Sequence, residues 1–316
     1  MTTEYAFDVT YIGESSLLSD KAVLIVGAGG LLGGRLTRYL SSRVRVVKAV
    51  HGLTRKIVQT DLVVDVMDVK SLIVAVESSH AAVVVNCSGM TSVDACHQRP
   101  EASVLVNAIG ARNISQAAKA ANARLIHIST DHFASHANIP RSETDQIFPV
   151  NQYGNSKLLA EGLVAGDDPK ALIIRTNFFG VGRIERPTFF DELLVRLRTG
   201  AEISGFHDVT FSPIGIERLC DFIYKQLFSS THGLVNVVGN QELTKLDFVH
   251  QVQMEFGDSE SQINSISIKR AGLASRRPSY MSLSNRRLRE EFGFTPPLLS
   301  HMISEEIDVA RQRSFL

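Results

Sequence analysis

An unbroken apolar run, Ala22-Val23-Leu24-Ile25-Val26, passes directly into Gly27-Ala28-Gly29-Gly30-Leu31-Leu32-Gly33. This junction constrains the fold more than any other stretch of the chain. Five apolar residues without polar alternation describe a strand buried on both faces, as in a parallel sheet covered by helices. Glycines at 27, 30 and 33 suit three needs in turn. They permit the tight turn, let backbone approach a diphosphate, and allow the next helix to pack closely on the strand. A helix starting at Leu31 presents unpaired N–H groups and the positive end of its dipole to an anion. The order strand, glycine turn, helix separates a dinucleotide-binding turn from a scattered glycine cluster. Gly27, Gly30, Leu31, Leu32 and Gly33 are the expected phosphate-holding residues.

The same alternation continues downstream. Strands are expected at Val44–Val50, Leu62–Val66, Ala82–Cys87, Leu125–Ser129 and Ala171–Arg175, with another at Leu234–Val238. Helices are expected at Leu31–Ser42, Val69–Ser78, Glu101–Ala121 and Tyr153–Val164. After Thr176 the rhythm loosens into helices at Pro187–Thr199, Ile214–Ser229, Leu246–Phe256, Asn285–Phe292 and Ser300–Arg311. This predicts an α/β fold: a doubly wound parallel sheet of Rossmann type with a smaller C-terminal substrate-binding lobe. Residues 1–20 read as a polar N-terminal extension. Residues 21–177 form the dinucleotide-binding part, completed by about 213–240. Residues 178–212 and 241–316 form the lobe.

Composition narrows the function classes. Apolar residues make up 44% of 316, enough for a large core, and the formal net charge is zero. No charge excess draws the chain to nucleic acid or an anionic membrane. No stretch of about 18 apolar residues is present for a membrane span. Glu4 and Asp8 precede any apolar run, unlike a signal peptide. Cys87, Cys96 and Cys220 lack metal or redox spacing, and an odd count fits a reducing cytoplasm. The histidines show no metal spacing either.

The chemistry concentrates in two places. Tyr153 and Lys157 lie four apart, so a helix puts phenol and ammonium on one face. A cation there is expected to lower the phenol pKa toward neutrality, making Tyr153 a proton donor in the physiological range. Thr130 ends the strand Ile126-His127-Ile128-Ser129, where doubly wound folds bind ligands. The second strand ends Val47-Lys48-Ala49-Val50-His51 with no acid for a ribose hydroxyl. Arg55 and Lys56 follow; they either bind a 2′-phosphate, which favours NADP over NAD, or form a solvated loop. His127 reads as a satisfied core residue. Asp68, Asp94 and Glu101 read as structural acids, the last two at helix starts.

Together these segments resemble the extended, sugar-nucleotide-modifying branch of the short-chain dehydrogenase/reductase superfamily, and within it the dTDP-4-dehydrorhamnose reductase group. The resemblance is carried by the Gly27/Gly30/Gly33 turn, Asp65-Val66-Met67-Asp68, and Val85-Asn86-Cys87-Ser88-Gly89 with Val93-Asp94-Ala95-Cys96 and Pro100-Glu101. Ser129-Thr130-Asp131 and Tyr153-Gly154-Asn155-Ser156-Lys157-Leu158 complete it, with echoes at Val106-Asn107, Arg175-Thr176 and Arg277-Pro278. It implies that Tyr153 protonates a carbonyl oxygen as hydride reaches its carbon. Lys157 would tune Tyr153 and bind the nicotinamide ribose, and Thr130 would orient the carbonyl. Asp65 and Val66 would meet the adenine, and Cys87, Ser88 and Gly89 would line the cofactor groove. Thr91, Asp131, His132, Asn177 and Arg277 are the implied substrate contacts, with Arg276 and Arg277 forking onto a diphosphate or forming a solvated turn. His207, Asp208 and Phe211-Ser212-Pro213 would edge the pocket. The implied partner is a nucleotide-sugar, and a homodimer is common in the group.

Departures from the pattern bear on the reaction. Asp131 is followed by His132-Phe133-Ala134 where the reductases commonly have Tyr-Val-Phe. Related dehydratases need an Asp-Glu pair after the Thr, so His132 argues against dehydration; it either touches substrate or packs at the loop base. Asn177-Phe178-Phe179 stands where a Trp usually follows Arg-Thr, leaving the sugar open. Two other readings survive: an epimerase using the same tyrosine, and a regulatory subunit resembling the beta subunit of methionine adenosyltransferase.

Overall fold

The computed structural model describes residues 21–52, 62–133, 138–257 and 259–313. The first half of the chain runs β1 (Ala22–Val26), α1 (Leu31–Leu40), β2 (Arg45–Val50), β3 (Leu62–Val63), α2 (Val69–Ser78) and β4 (Ala81–Asn86). It continues with α3 (Val93–Gln98), α4 (Pro100–Val104), a π-helical turn (Leu105–Ile109), α5 (Gly110–Ala120), β5 (Arg124–Ile128), α6 (Gln152–Asp167) and β6 (Leu172–Arg175). Next come β7 (Phe178–Phe179), α7 (Phe189–Thr199), β8 (Ile203–Phe206), β9 (Thr210–Phe211), β10 (Ile214–Gly215), α8 (Ile216–Gln226) and β11 (Gly233–Asn236). The chain closes with β12 (Leu243–Thr244), α9 (Lys245–Phe256), β13 (Ile263–Ile266), a 3-10 turn, α10 (Arg286–Glu290) and α11 (Leu299–Gln312).

Seven of these strands form one parallel sheet in the order β11-β6-β5-β4-β1-β2-β3. Strands are added outward in one direction from β1 through β3, then in the other from β4. A crevice therefore opens at the carboxyl ends of β1 and β4, the switch point where such sheets bind ligands. Both sheet faces are covered, which is why β1 reads as continuously apolar. Leu24 and Val26 pack with Ala111, Ile114 and Ala118 of α5 on one face. Val23 and Ile25 pack with Leu36 of α1 and Phe222 of α8 on the other. That second core runs on into the lobe through Phe179, Phe190, Phe211 and Phe248.

The lobe is held by short pairs: β7 with β10 and β8 with β13, both parallel, and β9 with β12, antiparallel. Capping boxes start two of its helices, Thr188 with Asp191 for α7 and Thr244 with Asp247 for α9. No helix among the described residues is long and apolar enough to cross a membrane.

Three expectations about elements are corrected, and two lobe strands were not expected. The third strand stops at Val63 instead of Val66, because Asp65 and Asp68 capture the backbone N–H groups of Met67, Lys70 and Ser71. The helix expected over Glu101–Ala121 is broken by the π-helical turn at Leu105–Ile109. The helix expected from Ile214 begins at Ile216, after Ile214–Gly215 pairs with Phe178–Phe179. Strands β8 and β13 have no counterpart among the expected elements, since four residues are too few for a readable alternation.

Candidate active site

Three loops meet at the carboxyl edge of the sheet. The first is the glycine turn. Gly27 has a φ of +84°, and a Cβ there would lie 2.7 Å from the backbone N of Ser88. A side chain at Gly33 would lie 2.3 Å from the carbonyl of Gly27, so only glycine lets α1 sit this close to β1. Gly30 caps α1 without a side-chain hydrogen bond, and the first turn holds no acid. The amino end of α1 thus keeps free N–H groups and an uncompensated positive dipole end, which suits a diphosphate. These features fit a dinucleotide.

The second loop follows β4. Cys87 continues the ladder by donating to Val26 O at 2.9 Å, and the Ser88 backbone touches the glycine turn. Asn86 Oδ1 accepts from Ser88 N (3.0 Å) and Oγ (2.6 Å), while its Nδ2 meets His127 Nδ1 at 3.0 Å. His127 is fully buried, and burial with the nearby Lys157 charge holds its pKa well below the usual imidazole range. Its Nε2 has no partner. Asn107, brought inward by the π-helical turn, accepts from Met90 N at 2.7 Å and donates to Met90 O and Ser156 Oγ at 3.0 and 2.9 Å. One amide thereby fastens the β4 loop to α6. Asn113 Nδ2 donates to Val66 O at 2.9 Å, fixing the turn that carries Asp65.

The third loop follows β5 and faces α6. Asn151 caps α6 by accepting from Gly154 N at 2.9 Å. A Cβ at Gly154 would lie 2.8 Å from His132 O, so this glycine lets the helix press against the loop. Glu161, one turn past Lys157, accepts from Ser129 Oγ at 2.5 Å and pairs with Arg175 at 2.7 Å. This buried link aligns α6 with the ends of β5 and β6. Thr130 Oγ1 accepts from His132 N at 3.2 Å, and the Thr130 hydroxyl lies near enough to the Tyr153 phenol to favour its ionised form. The His132 ring lies edge-on to Tyr153, with centroids 5.6 Å apart.

The electrostatics differ from the expectation at Tyr153. Burial pushes its pKa up to about 12, with Thr130 opposing and the Asp131 charge adding to the rise. The expected lowering by Lys157 does not occur, because the ammonium donates to Ile128 O at 2.7 Å and not to the phenol. Burial brings Lys157 itself down to about 8, with Glu161 opposing. Tyr153 is therefore a protonated phenol at neutral pH. Burial, with Arg277 and Lys245 nearby, holds His132 at about 4, a neutral ring. Burial also raises Asp131 to about 6, although Asn177 Nδ2 donates to it at 2.6 Å.

Beside these groups a cavity of about 440 Å³ opens between sheet and lobe. His132, Asn177, Arg277 and Lys245 line it, among aromatic walls that include Phe178 and Phe211. A family model described as the RmlD substrate binding domain matches residues 21–311. The chain belongs to this family. Among RmlD relatives, the spore coat polysaccharide biosynthesis protein SpsK of Bacillus subtilis is 31% identical over 276 residues, 87% of this chain and 92% of its own length. A dTDP-4-dehydrorhamnose reductase of Mycolicibacterium smegmatis is 27% identical over 281 residues, 87% of this chain and 81% of its own. The crystal structure of a Bacillus anthracis dTDP-4-dehydrorhamnose reductase in complex with NADP superimposes with a TM-score of 0.83 at 23% identity. It covers 92% of this chain and 99% of that one.

In this RmlD-family chain the expected site residues are only partly gathered. Gly27, Gly30, Leu31, Leu32 and Gly33 form the turn, Ser88 touches it, and Gly89 follows at a φ of +153°. Asp65 and Val66 sit in the turn beyond β3. Arg55 lies outside the described residues. Thr91 is exposed in the loop before α3 and does not line the cavity. Arg276 and Arg277 do not act as one fork: Arg277 lines the cavity and pairs with Asp94 at 3.0 Å, while Arg276 is exposed. Asp94 is thus more than a helix-start acid. Phe211 lines the cavity, and His207 opens onto a separate surface depression. Sequence reasoning missed Glu161, Ser156 and Lys245. Glu161 continues the Tyr153–Lys157 spacing by four and was visible in principle; Lys245 belongs to a helix start with no such signal.

Proposed function

We propose that this chain is an NADPH-dependent reductase acting on the keto group of a nucleotide-linked sugar, most simply a 4-keto-6-deoxyhexose. The observation that carries the reading is the convergence at one sheet edge of the Gly27–Gly33 turn after β1 and the Thr130–His132 loop after β5, whose His132 ring meets Tyr153 at 5.6 Å and lines the cavity. A reduced nicotinamide bound in that crevice would supply the hydride. Gly27, Gly30 and the amino end of α1 would hold the diphosphate, Asp65 and Val66 would meet the adenine, and Cys87, Ser88 and Gly89 would line the groove. Arg55 is assigned to the 2′-phosphate. The NADP held by the Bacillus anthracis reductase supports this choice of cofactor.

Thr130 and Tyr153 both donate to the carbonyl oxygen, polarising it and stabilising developing negative charge. Tyr153 then delivers its proton. A phenol held near 12 is still a stronger acid than the alcohol being formed, so the transfer runs toward product. Lys157, anchored on Ile128 O, would hold the nicotinamide ribose hydroxyls. His132 takes no part as an acid; its neutral ring holds Tyr153 in place, and the site lacks the acid pair needed for dehydration.

Replacement Tyr153→Phe tests the assignment. Turnover is expected to fall at least about a hundredfold, the scale for losing a general acid, with NADPH affinity nearly intact by fluorescence titration. Turnover equal to wild type would remove Tyr153 from the reaction.

A further inference from the structure

Arg277 belongs to the lobe, but the other half of the molecule sets its position. The carbonyl of its neighbour Arg276 accepts from Asn151 Nδ2 at 2.9 Å. The same Asn151 caps α6, its Oδ1 accepting from Gly154 N at 2.9 Å. One buried amide therefore joins the start of the Tyr153 helix to the backbone beside Arg277. The guanidinium is held from a second side. Its Nη2 donates to Asp94 Oδ1 at 3.0 Å, and Asp94 lies in the first turn of α3, the helix that follows the Cys87–Gly89 loop. Its Nη1 makes a long contact of 3.4 Å to Ser275 O. Asp94 is 183 residues from Arg277, and Asn151 is 125 from Arg276, so both clasps are made by the fold and not by neighbouring chain.

Exposure indicates what the clasps are for. The Asp94 side chain is 42% exposed and that of Arg277 16%. A half-exposed ion pair adds little to stability, so a brace for the fold is a poor account of it. What the pair does is fix one part of a planar fork whose free side chain would sample many rotamers. Ordering such a side chain when a ligand arrives costs affinity, and ordering it beforehand removes that cost. Arg277 lines the cavity, and among the described residues only two of its five N–H groups meet protein acceptors. The remainder are open to ligand oxygens, and a guanidinium suits phosphate oxygens in pairs. We propose that Asp94 and Asn151 are positioning residues, which together hold Arg277 as the preformed contact for the substrate's diphosphate. This rests on the reductase reading, since a nucleotide-linked neutral sugar carries its charge on the diphosphate.

The test is equilibrium binding to the full chain by calorimetry, with UDP-glucose and dTDP-glucose as probes and NADPH as the reference ligand. Asp94→Ala is expected to weaken the better-bound probe at least about fivefold, the scale of one lost contact to a charged group, with NADPH affinity within about twofold. Arg277→Ala should weaken it at least as much. Adding Asp94→Ala to Arg277→Ala should bring no further loss, because Asp94 acts through Arg277. Asp94→Asn keeps an oxygen for Nη2 and should retain part of the affinity. The proposal is overturned if wild type binds neither probe, or if the losses add in the double variant. It is overturned too if Asp94→Ala weakens NADPH equally, or binds the probe as tightly as wild type or more so, which would make Asp94 a competitor of the ligand. Should Asp94→Ala fail to fold, Asn151→Ser decides. Its hydroxyl still caps α6 but is too short for Arg276 O, so the probe should bind more weakly and NADPH nearly unchanged; unchanged probe affinity would overturn the proposal. Failure of the reductase reading looks different: the probe bound in this pattern, with no keto-sugar reduced.

Discussion

Tyr153 and Lys157 share a helix face, as their spacing implies, but the structure gives them different surroundings: the His132 ring beside the phenol and Ile128 O for the ammonium. The spacing rule places side chains on a face and says nothing of what lies opposite. Residues beside the pair decide its chemistry: Glu161 follows from the same helical spacing, whereas His132 is set there by tertiary packing. His132 gives a pH signature. Its pKa of about 4 lies below the free value of 6.5 because the ring is buried near Arg277 and Lys245. A lowered folded pKa contributes stability that is full above pH 6.5 and is lost as pH falls through about 4. Buried His127 acts in the same sense. Thermal or denaturant unfolding should therefore show a loss over this window, of which up to about 3 kcal/mol is removed by His132→Asn. An identical pH profile in that variant would contradict the buried, neutral His132.

At the scale of elements, the long apolar strands β1, β4, β5 and β6 were legible because both faces are buried and no other local structure suits such runs. The short strands of the lobe were not, since two to four residues carry no period. The π-helical turn was invisible for another reason: it differs from an α-helix by one residue per turn, and its role is to turn Asn107 inward. Glycines in helices separate the two kinds of constraint. Gly162 is exposed in α6, and a Cβ placed on it would meet nothing within 4 Å, so Gly162→Ala should stabilise the chain by about 0.5–1 kcal/mol in denaturant melts. Gly33→Ala meets Gly27 O at 2.3 Å and should cost about 1–3 kcal/mol and weaken NADPH binding at least about tenfold. Equal behaviour of the two variants would contradict the close approach of α1 to β1.

Across the whole molecule, a buried ion pair ties α1 to α11, the last helix of the described residues. Arg35 in α1 meets Glu306 in α11 at 2.8 Å, and the Glu306 carboxylate also accepts from Val181 N at 2.9 Å. Residues 271 apart in sequence carry no local signal of such a contact. Glu306→Ala leaves a buried guanidinium without its main partner and should cost about 3–5 kcal/mol. Glu305→Ala breaks the half-exposed pair with Arg218 and should cost under about 1 kcal/mol. Similar losses in both would place the junction elsewhere. The same long-range logic hid Lys245 and the cavity from the sequence, while the glycine turn, Thr130, Tyr153 and Lys157 were legible because each sits at the end of a readable element. The central claim is that these parts reduce a carbonyl. Its most direct test follows NADPH absorbance while the purified chain acts on nucleotide-linked keto-sugars, with product counted in parallel. One NADPH oxidised per new hydroxyl is the predicted result; sugar converted with no net NADPH loss, as in an epimerase, would contradict it.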